Sequence, residues 1–197
     1  HDGGKTKEAI INILHKFGYY IDWYVYNTAD YTEIPQNRER TIIVCFLKKN
    51  SLTFFKNNRI KKTNKRKKIS DLLEEKGVSK NFYYDSTSQY YQMLKESMNR
   101  TDTLYQLRRI YVRENQSKLC PTLTANMGTG GHNVPLLLQR NKEIRKLTPK
   151  ECFRFQGFDT IEFPNDVPNT QLYKQAGNSV TVKLIHKIAK SIKKSLL

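Results

Sequence analysis

Two arginines spaced two residues apart have the type and spacing that could do chemistry. Arg38 and Arg40 stand immediately before an apolar run at 41–47. Side chains two apart point the same way on extended backbone, so this spacing places two permanently charged guanidinium groups at the start of a strand. The alternative is a pair of surface salt bridges with Glu39, the commoner outcome for such a spacing.

Two further clusters combine glycine with polar residues. The first, Gln-Ala-Gly-Asn-Ser-Val at 175–180, is a small-residue turn before an amphipathic segment, where backbone N–H groups and Asn178 could approach a ligand closely. A plain helix cap is the alternative. The second, the loop at 126–132, contains three glycines that would let its backbone approach a phosphate. No Lys-Ser or Lys-Thr follows it, so it is not a nucleotide-binding P-loop.

The three cysteines do not form a metal or disulfide pattern. Cys45, Cys120 and Cys152 are far apart, with no CxxC pair and no histidine at ligand spacing. We therefore expect no metal site, no disulfide framework and a cytoplasmic, reducing setting. No run approaches the roughly 18 apolar residues of a membrane helix, so we expect no membrane partner. The sequence begins without Met, and we expect the natural chain to continue upstream or to be processed.

The charge of the chain favours a polyanionic partner. The 197 residues carry a formal net charge of +17, and the sequence pI is about 9.8. Lysine and arginine side chains that approach phosphates release condensed counterions, which predicts binding to nucleic acid. A Lys- and Asn-rich composition could also reflect the codon usage of an AT-rich genome.

Hydrophobic periodicity predicts the elements that position these residues. We expect helices over 6–17, 69–76, 148–157 and 179–194, and strands over 21–26, 41–47, 104–112, 121–125 and 134–138. The Thr-Pro-Lys-Glu sequence at 148–151 is a capping box with proline at the first helical position. The stretch 48–68 holds ten basic residues and no acid, and we expect it to be an exposed loop.

The order of these clusters resembles the C-terminal half of bacterial C5-cytosine DNA methyltransferases. The motifs that carry the resemblance are His-Asp-Gly-Gly-Lys-Thr at 1–6, Gln-Asn-Arg-Glu-Arg at 36–40 (a QxRxR motif), Pro-Thr-Leu-Thr at 121–124, the segment 145–158, and Tyr-Lys-Gln-Ala-Gly-Asn-Ser-Val at 173–180. They cover nearly the whole chain. The stretch from about 50 to 117 lies where that family has its variable target-recognition domain.

The resemblance implies an α/β fold and a division of the chain. The expected fold is the C-terminal part of a Rossmann-like methyltransferase sheet domain with an inserted small, basic, mixed target-recognition domain. Residues 1–49 would end the catalytic sheet domain, 50–143 would form the recognition domain, and 144–197 would return to the catalytic domain. We expect the apolar faces of 42–46 and of the last helix to lie exposed until the missing half covers them.

The resemblance also implies roles for individual residues. Arg40 would donate to O2 of a flipped cytosine, and Arg38 would orient the active-site loop. A pocket for S-adenosyl-L-methionine would be completed by Asn178, Ser179 and Val180. Contacts to double-stranded DNA would come from Arg108, Arg109, Thr122, Leu123, Asn126, Gly128, Gly130 and Gly131. Arg145, Glu151 and Arg154 would be structural.

The resemblance predicts an enzyme that lacks its nucleophile. The family carries its catalytic cysteine and glutamate on Pro-Cys and Glu-Asn-Val motifs, and neither motif is in this sequence. The expected function is DNA recognition and part of the active site of a DNA (cytosine-5-)-methyltransferase of a bacterial restriction-modification system. It would be inactive without an N-terminal catalytic half, from the same gene or a separate subunit. The alternative is a non-catalytic, sequence-specific DNA-binding protein derived from this family.

Overall fold

Seven α-helices and seven β-strands make up the regular structure of this computed structural model, which describes residues 2–128 and 134–197. The helices are α1 (Lys5–Lys16), α2 (Thr28–Tyr31), α3 (Lys49–Asn57), α4 (Tyr91–Ser97), α5 (Pro149–Arg154), α6 (Asn169–Asn178) and α7 (Val182–Leu196). The strands are β1 (Tyr20–Asn27), β2 (Glu39–Phe46), β3 (Tyr83–Tyr84), β4 (Tyr105–Leu107), β5 (Val112–Glu114), β6 (Leu136–Leu138) and β7 (Ile144–Lys146). The α/β class is as predicted.

β1 and β2 form an antiparallel two-stranded sheet that packs on α3 and α7. Its register pairs Tyr20 with Phe46 and Asn27 with Glu39. One face of the sheet and the two helices share a core, whose buried members are Tyr26, Tyr31, Val44, Phe46, Leu52, Phe55, Leu184 and Ile188. The predicted helix over 6–17 and the first two predicted strands are confirmed, each within two residues of the expected bounds.

The other five strands form a second antiparallel sheet in the order β3-β7-β6-β4-β5. All three leucines of β6 are buried, because the sheet is covered on both faces. Leu136 and Leu138 pack with Leu94 of α4, whereas Leu137 belongs to a core that includes Phe153 of α5 and Tyr173 of α6. The predicted strand over 134–138 is confirmed for Leu136–Leu138.

The predicted capping box starts α5. Thr148 Oγ1 accepts from the backbone N–H of Glu151 (3.2 Å), and a Glu151 carboxylate oxygen accepts from the backbone N–H of Thr148 (2.8 Å). These reciprocal bonds satisfy two N–H groups that lack partners within the helix. After Arg154 the chain reverses at Gly157, whose φ of 83° favours glycine.

The prediction of an exposed loop over 48–68 is wrong for its first half. α3 occupies Lys49–Asn57, and Leu52 and Phe55 are buried against β2 and α7. Leucine and phenylalanine three residues apart lie on one helical face, so a helix with few apolar residues still has one buried side. Two of the basic residues that follow form ion pairs with acids in β1 and α2. Arg59 contacts Asp22, and Lys62 Nζ lies 2.8 Å from Asp30 Oδ2.

Other elements also differ from the expectation. The strand over 104–112 is a hairpin of β4 and β5, closed by a bond from Arg108 N to Tyr111 O (2.8 Å). The segment 121–125 is irregular, and the helix over 69–76 is a 3-10 helix at Ile69–Leu72. α4 and α6 were not predicted, because α4 follows an aromatic-rich polar stretch and α6 contains few apolar residues.

The expected exposed apolar faces are buried, and a different surface is exposed. Val44 and Phe46 are buried against α3 and α7 of this chain, so no second chain is needed to cover them. α1 instead has no buried residue. Its Ile13 is 54% exposed and the following Phe17 is 72% exposed. We define the α1 face as Ile10, Ile13, Phe17, Trp23 and Val25, which are all large and exposed.

Candidate active site and nucleic-acid interface

Arg38 lies at the junction of three segments that are far apart in sequence. Its side chain is buried and donates to three backbone carbonyl groups. Nη1 donates to Leu123 O (2.7 Å), and Nη2 donates to Gly177 O (2.9 Å) and Ser179 O (2.6 Å). One guanidinium group thus joins the QxRxR motif to the segment at 121–124 and to the motif at 173–180.

The charge of Arg38 is not balanced by an acid. No ion pair involves Arg38 in the described parts of the chain, and its Nε has no hydrogen-bond partner there. Burial, followed by repulsion from Arg40, lowers the pKa of the Arg38 guanidinium to about 10. Three carbonyl dipoles therefore stabilise a buried cation that still carries its charge near neutral pH.

Arg40 is half-buried and is the second residue of β2, two residues after Arg38. Its Nη1 donates to the backbone carbonyl of Glu39 (2.7 Å), not to the Glu39 carboxylate. Burial lowers the pKa of Arg40. Neither Arg38 nor Arg40 forms a salt bridge with Glu39, so the alternative of surface salt bridges is wrong. The Arg40 side chain makes one hydrogen bond within the described residues, so its other N–H groups can donate to a further acceptor.

Gly177 allows α6 to lie directly against the segment at 121–125. A Cβ on Gly177 would overlap the backbone of Thr124 and would lie 2.5 Å from Ala125 N. The motif at 173–180 therefore contains a glycine because two backbones meet there, and not because a turn needs one. Gln175–Asn178 form the end of α6, which corrects the expectation of a turn there.

The three predicted cofactor residues follow that contact. Asn178 and Val180 are exposed, and Val180 is 48% exposed. Ser179 between them is fixed, since its carbonyl accepts from Arg38 and its Oγ donates to Ala176 O (2.9 Å). An amide and an apolar side chain are thus presented from a rigid piece of backbone. The alternative of a side-chain cap for α7 does not hold, since its N-cap, Thr181, makes no such bond.

A polar cleft of about 430 Å³ brings together three of the residues predicted to contact DNA. Arg108, Thr122 and Asn126 line it, with Asn37, Gln106, Arg113, Asn115, Pro121 and Thr124. Thr122 Oγ1 donates to Asn37 O (2.6 Å), which ties the cleft to the backbone immediately before Arg38. Sequence reasoning missed Gln106 and Arg113, although the alternation of polar and buried residues in β4 and β5 could have indicated them.

The other predicted DNA contacts lie elsewhere. Arg109 is exposed and is not among the residues that line the cleft. Leu123 is fully buried in the core, and its carbonyl serves Arg38, so its side chain does not face a duplex. Gly128 has a φ of 76°, and a Cβ there would lie 2.7 Å from the Tyr173 ring. The predicted contacts from Gly130 and Gly131 fall outside the described residues.

Buried amide side chains hold this region together, and no sequence pattern predicted them. Gln36 Nε2 donates to Phe155 O (2.9 Å), and Gln156 Nε2 donates to Ala176 O (2.9 Å). Thr181 also donates to Gln156, and Thr28 shares a hydrogen bond with Thr181 (2.7 Å). These bonds connect α2, α6, the segment before β2, the N-cap of α7 and the residues that follow α5.

The cysteines are not activated. Cys120 and Cys152 are buried, and burial raises the pKa of both thiols well above the usual value. Cys45 is half-buried, and burial raises its pKa as well. A thiol attacks as its thiolate, so none of the three is placed as a nucleophile.

Neither a membrane span nor a metal cluster is found in residues 2–128 and 134–197. None of the helices there is both long enough and apolar enough to cross a bilayer. No three acidic, histidine or cysteine side chains of that part of the chain are grouped so that they could hold a metal ion.

The fold is that of known methyltransferases. The methyltransferase EhMeth of Entamoeba histolytica superposes with a TM-score of 0.71 at 20% identity, over 96% of this chain and 58% of that one. The Dnmt2 methyltransferase of S. pombe gives 0.70 at 17% identity, over 98% of this chain and 64% of that one.

The family follows from the sequence comparisons. Residues 1–194 match the model of the C-5 cytosine-specific DNA methylase family, and the chain belongs to that family. The Type II methyltransferase M.Bsp6I of Bacillus sp. (strain RFL6) is 46% identical over 200 residues, which are 100% of this chain and 62% of that protein. M.DsaV of Dactylococcopsis salina, also a Type II methyltransferase, is 33% identical over 98% of this chain and 53% of its own length. The chain thus spans about half to two thirds of these relatives.

Proposed function

We propose that this chain supplies DNA recognition and part of the active site of a DNA (cytosine-5-)-methyltransferase of a restriction-modification system. The observation that carries the proposal is the Arg38 junction. One buried side chain fixes Arg40, the segment that carries Thr122, and Ser179 relative to each other. In this proposal, a base-stabilising cation, a DNA-contacting segment and a cofactor wall are held together as one unit.

Arg40 would act on the cytosine. When a nucleophile adds to C6 of a flipped cytosine, negative charge builds on the ring and its O2. A fixed guanidinium donor at O2 stabilises that charge in the transition state. The half-buried setting of Arg40 strengthens such a bond, because less water competes for the donor. Arg38 would act as a positioning residue through the backbone around it.

S-adenosyl-L-methionine is the cofactor that the family implies, and the residues at 178–180 fit one side of its site. The exposed Asn178 amide can bond polar groups of the cofactor, and the exposed Val180 can contact its apolar parts. The bound cofactor supplies an electrophilic methyl group. The chain's own contribution is to hold that wall rigid through the bond from Arg38 to Ser179 O.

The nucleophilic thiol would come from a complementary N-terminal half, on the same polypeptide or a separate subunit. The raised pKa values of the three cysteines support this, since none of them is an activated thiol. The lengths of the relatives support it too, because this chain covers 62% of M.Bsp6I. We propose that the complementary half binds the α1 face, and that β1 and β2 continue a Rossmann-like sheet there.

Double-stranded DNA would bind along the cleft. The net charge of +17 favours binding to phosphates, and Arg108, Thr122 and Asn126 face one cleft. We propose the division already predicted, with a recognition domain at 50–143 between catalytic segments at 1–49 and 144–197. α3 then packs with the first catalytic segment, although it falls just inside the predicted recognition domain.

The test is reconstitution of methyl transfer. The chain is mixed with the part of M.Bsp6I that it does not cover, and tritiated methyl transfer from S-adenosyl-L-methionine to duplex DNA is followed. We expect transfer by the mixture and none by either component. In that mixture, Arg40→Ala should lower the rate by about 10²-fold or more and leave DNA affinity within a few fold.

The rival function is a non-catalytic, sequence-specific DNA-binding protein. The absence of an activated thiol among the three cysteines favours it as the second candidate. A mixture whose halves associate and bind DNA, yet transfer no methyl group, would favour this rival. An Arg40→Ala mixture as fast as the wild type would remove the role proposed for Arg40.

A further inference from the structure

Within the paired strands β4 and β5, one face of the hairpin carries polar side chains. Gln106 lies directly opposite Arg113 in the antiparallel pair, and Arg108 and Asn115 continue the same alternation just beyond the strands. The opposite face of β4 is apolar, with Tyr105 and Leu107 buried in the core. Two guanidinium groups and two amides are therefore held on one face by a rigid, well-packed hairpin.

That face is one wall of the polar cleft, and the segment at 121–126 is the other. Of the nine described residues that line the cleft, two are arginines and none is acidic. The rest are amides, hydroxyl-bearing residues and one proline. A cleft with this lining offers hydrogen-bond donors and acceptors to a polar, negatively charged ligand. The base edges and the phosphate backbone of a DNA duplex together form such a ligand.

Within the cleft, Arg108 differs from its neighbour Arg109. Arg108 is half-buried, and its Nη2 donates to Gln106 Oε1 (3.2 Å). Arg109 is exposed outside the cleft. The amide oxygen of Gln106 orients the Arg108 fork, which lowers the conformational entropy that a directed contact would cost. An exposed, unoriented arginine suits a phosphate, which accepts from many directions.

We propose that Arg108, oriented by Gln106, reads a guanine of the target site in the major groove. This rests on the proposed function. A guanidinium fork matches the O6 and N7 acceptors of guanine, and this pairing is the commonest specific contact of arginine with a base. Gln106 is the positioning residue for the fork, and Arg109 contacts the DNA backbone without reading sequence.

The test uses the 197-residue chain and a pool of randomised DNA duplexes, with bound sequences recovered and counted. The wild type should enrich sites with a guanine at a fixed position. Arg108→Lys keeps the charge but loses the fork, so it should lose the guanine preference at that position alone. Affinity for the preferred site should fall about 5- to 150-fold, as expected for one bidentate contact.

Arg109→Lys and Arg109→Ala are the matched controls. Arg109→Lys should leave every preference unchanged, and Arg109→Ala should weaken binding to all sequences by a similar factor. Gln106→Ala should weaken the guanine preference at the same DNA position as Arg108→Lys does, but by a smaller factor.

The outcomes separate this inference from the proposed function. If the wild type enriches a site and Arg108→Lys keeps the same preference at every position, the role of Arg108 is wrong while DNA recognition stands. If the wild type binds all duplexes equally, the DNA-recognition part of the proposed function fails and the role of Arg108 fails with it. Circular dichroism of each variant confirms that the fold is retained.

Discussion

The buried Arg38 side chain joins segments that are far apart in sequence. Its guanidinium donates to the carbonyl groups of Leu123, Gly177 and Ser179. An unpaired buried carbonyl costs about 1–3 kcal/mol, so the three bonds together matter more than the average core contact.

Replacing Arg38 with methionine should destabilise the protein. Three carbonyl groups lose their donor, while relief from burying an unpaired charge offsets part of the loss. We expect the free energy of unfolding to fall by about 2–4 kcal/mol, measured by urea denaturation. Arg40→Met is the control, since its side chain bonds the adjacent Glu39 carbonyl, and it should cost under about 1 kcal/mol. Equal losses in the two variants would contradict the junction role of Arg38.

At the scale of elements, the contact between α6 and the segment at 121–125 depends on a missing side chain. Gly177 lies in a helix, where glycine is ordinarily unfavourable. The absence of a side chain there lets the backbone of Thr124 approach the helix closely. The same approach brings the carbonyl groups of Leu123 and Gly177 to one guanidinium.

Gly177→Ala should therefore separate these two elements. The added methyl group overlaps the backbone of Thr124, which cannot move aside as a flexible side chain could. We expect a loss of about 2–3 kcal/mol in thermal or urea unfolding, despite the higher helix propensity of alanine. Gly77→Ala is the control: it has open space but a φ of 78°, so only backbone strain of about 1–2 kcal/mol applies. A Gly177→Ala variant as stable as the wild type would show that the contact is not tight.

A buried ion pair also holds two elements together, since it joins β7 to α5. Arg145 and Glu151 are 1% and 0% exposed, and two guanidinium nitrogens contact the carboxylate at 2.6 and 2.8 Å. Glu151 also accepts from Glu74 N (2.8 Å), and Arg154 donates to Leu73 O (3.1 Å). These bonds fit the structural role expected for Arg145, Glu151 and Arg154, since they join the segment at 69–74 to α5.

Removing one partner of this pair should cost more than removing both. Glu151→Gln leaves Arg145 charged and buried without a counter-charge, and we expect a loss of about 3–5 kcal/mol. Arg145→Met combined with Glu151→Leu should recover part of that loss, because no charge is left unpaired. A double-mutant cycle by urea denaturation measures the coupling. Additive losses would show that the two charges do not stabilise each other.

At the scale of the whole molecule, burial is uneven. Both sheets have well-packed cores, whereas the α1 face exposes large apolar side chains, of which Phe17 is 72% and Trp23 is 42% exposed. An exposed cluster of this kind marks an interaction surface or an aggregation site.

The double variant Ile13→Ser, Phe17→Ser should leave the isolated chain about as stable as the wild type, within about 1 kcal/mol, since both side chains are already exposed. It should weaken binding of the complementary half by at least about tenfold, measured by titration calorimetry, because buried apolar area is lost. Leu197→Ser is the control, since Leu197 is 100% exposed at the far end of α7. Unchanged association of the double variant would move the docking surface elsewhere.

The sequence by itself determined the family and the local elements. Ordered motifs identified the resemblance, and the capping box predicted the start of α5. Alternating apolar residues predicted β1, and a continuous apolar run predicted β2. These signals are local, because hydrogen bonds within a helix and the pleat of a strand depend on neighbouring residues. α3 was missed because two apolar side chains among lysines become a core only when β2 and α7 cover them.

Only the tertiary structure decided which residues of the site act together. Arg38 and Arg40 are the same residue type and belong to one motif. The Arg38 side chain is buried and bonds three carbonyl groups, whereas the half-buried Arg40 side chain bonds one carbonyl group within the described residues. Arg108 and Arg109 are adjacent, yet one lines the cleft and the other does not. The physical reason is that the burial and orientation of a side chain depend on which distant segments pack nearby.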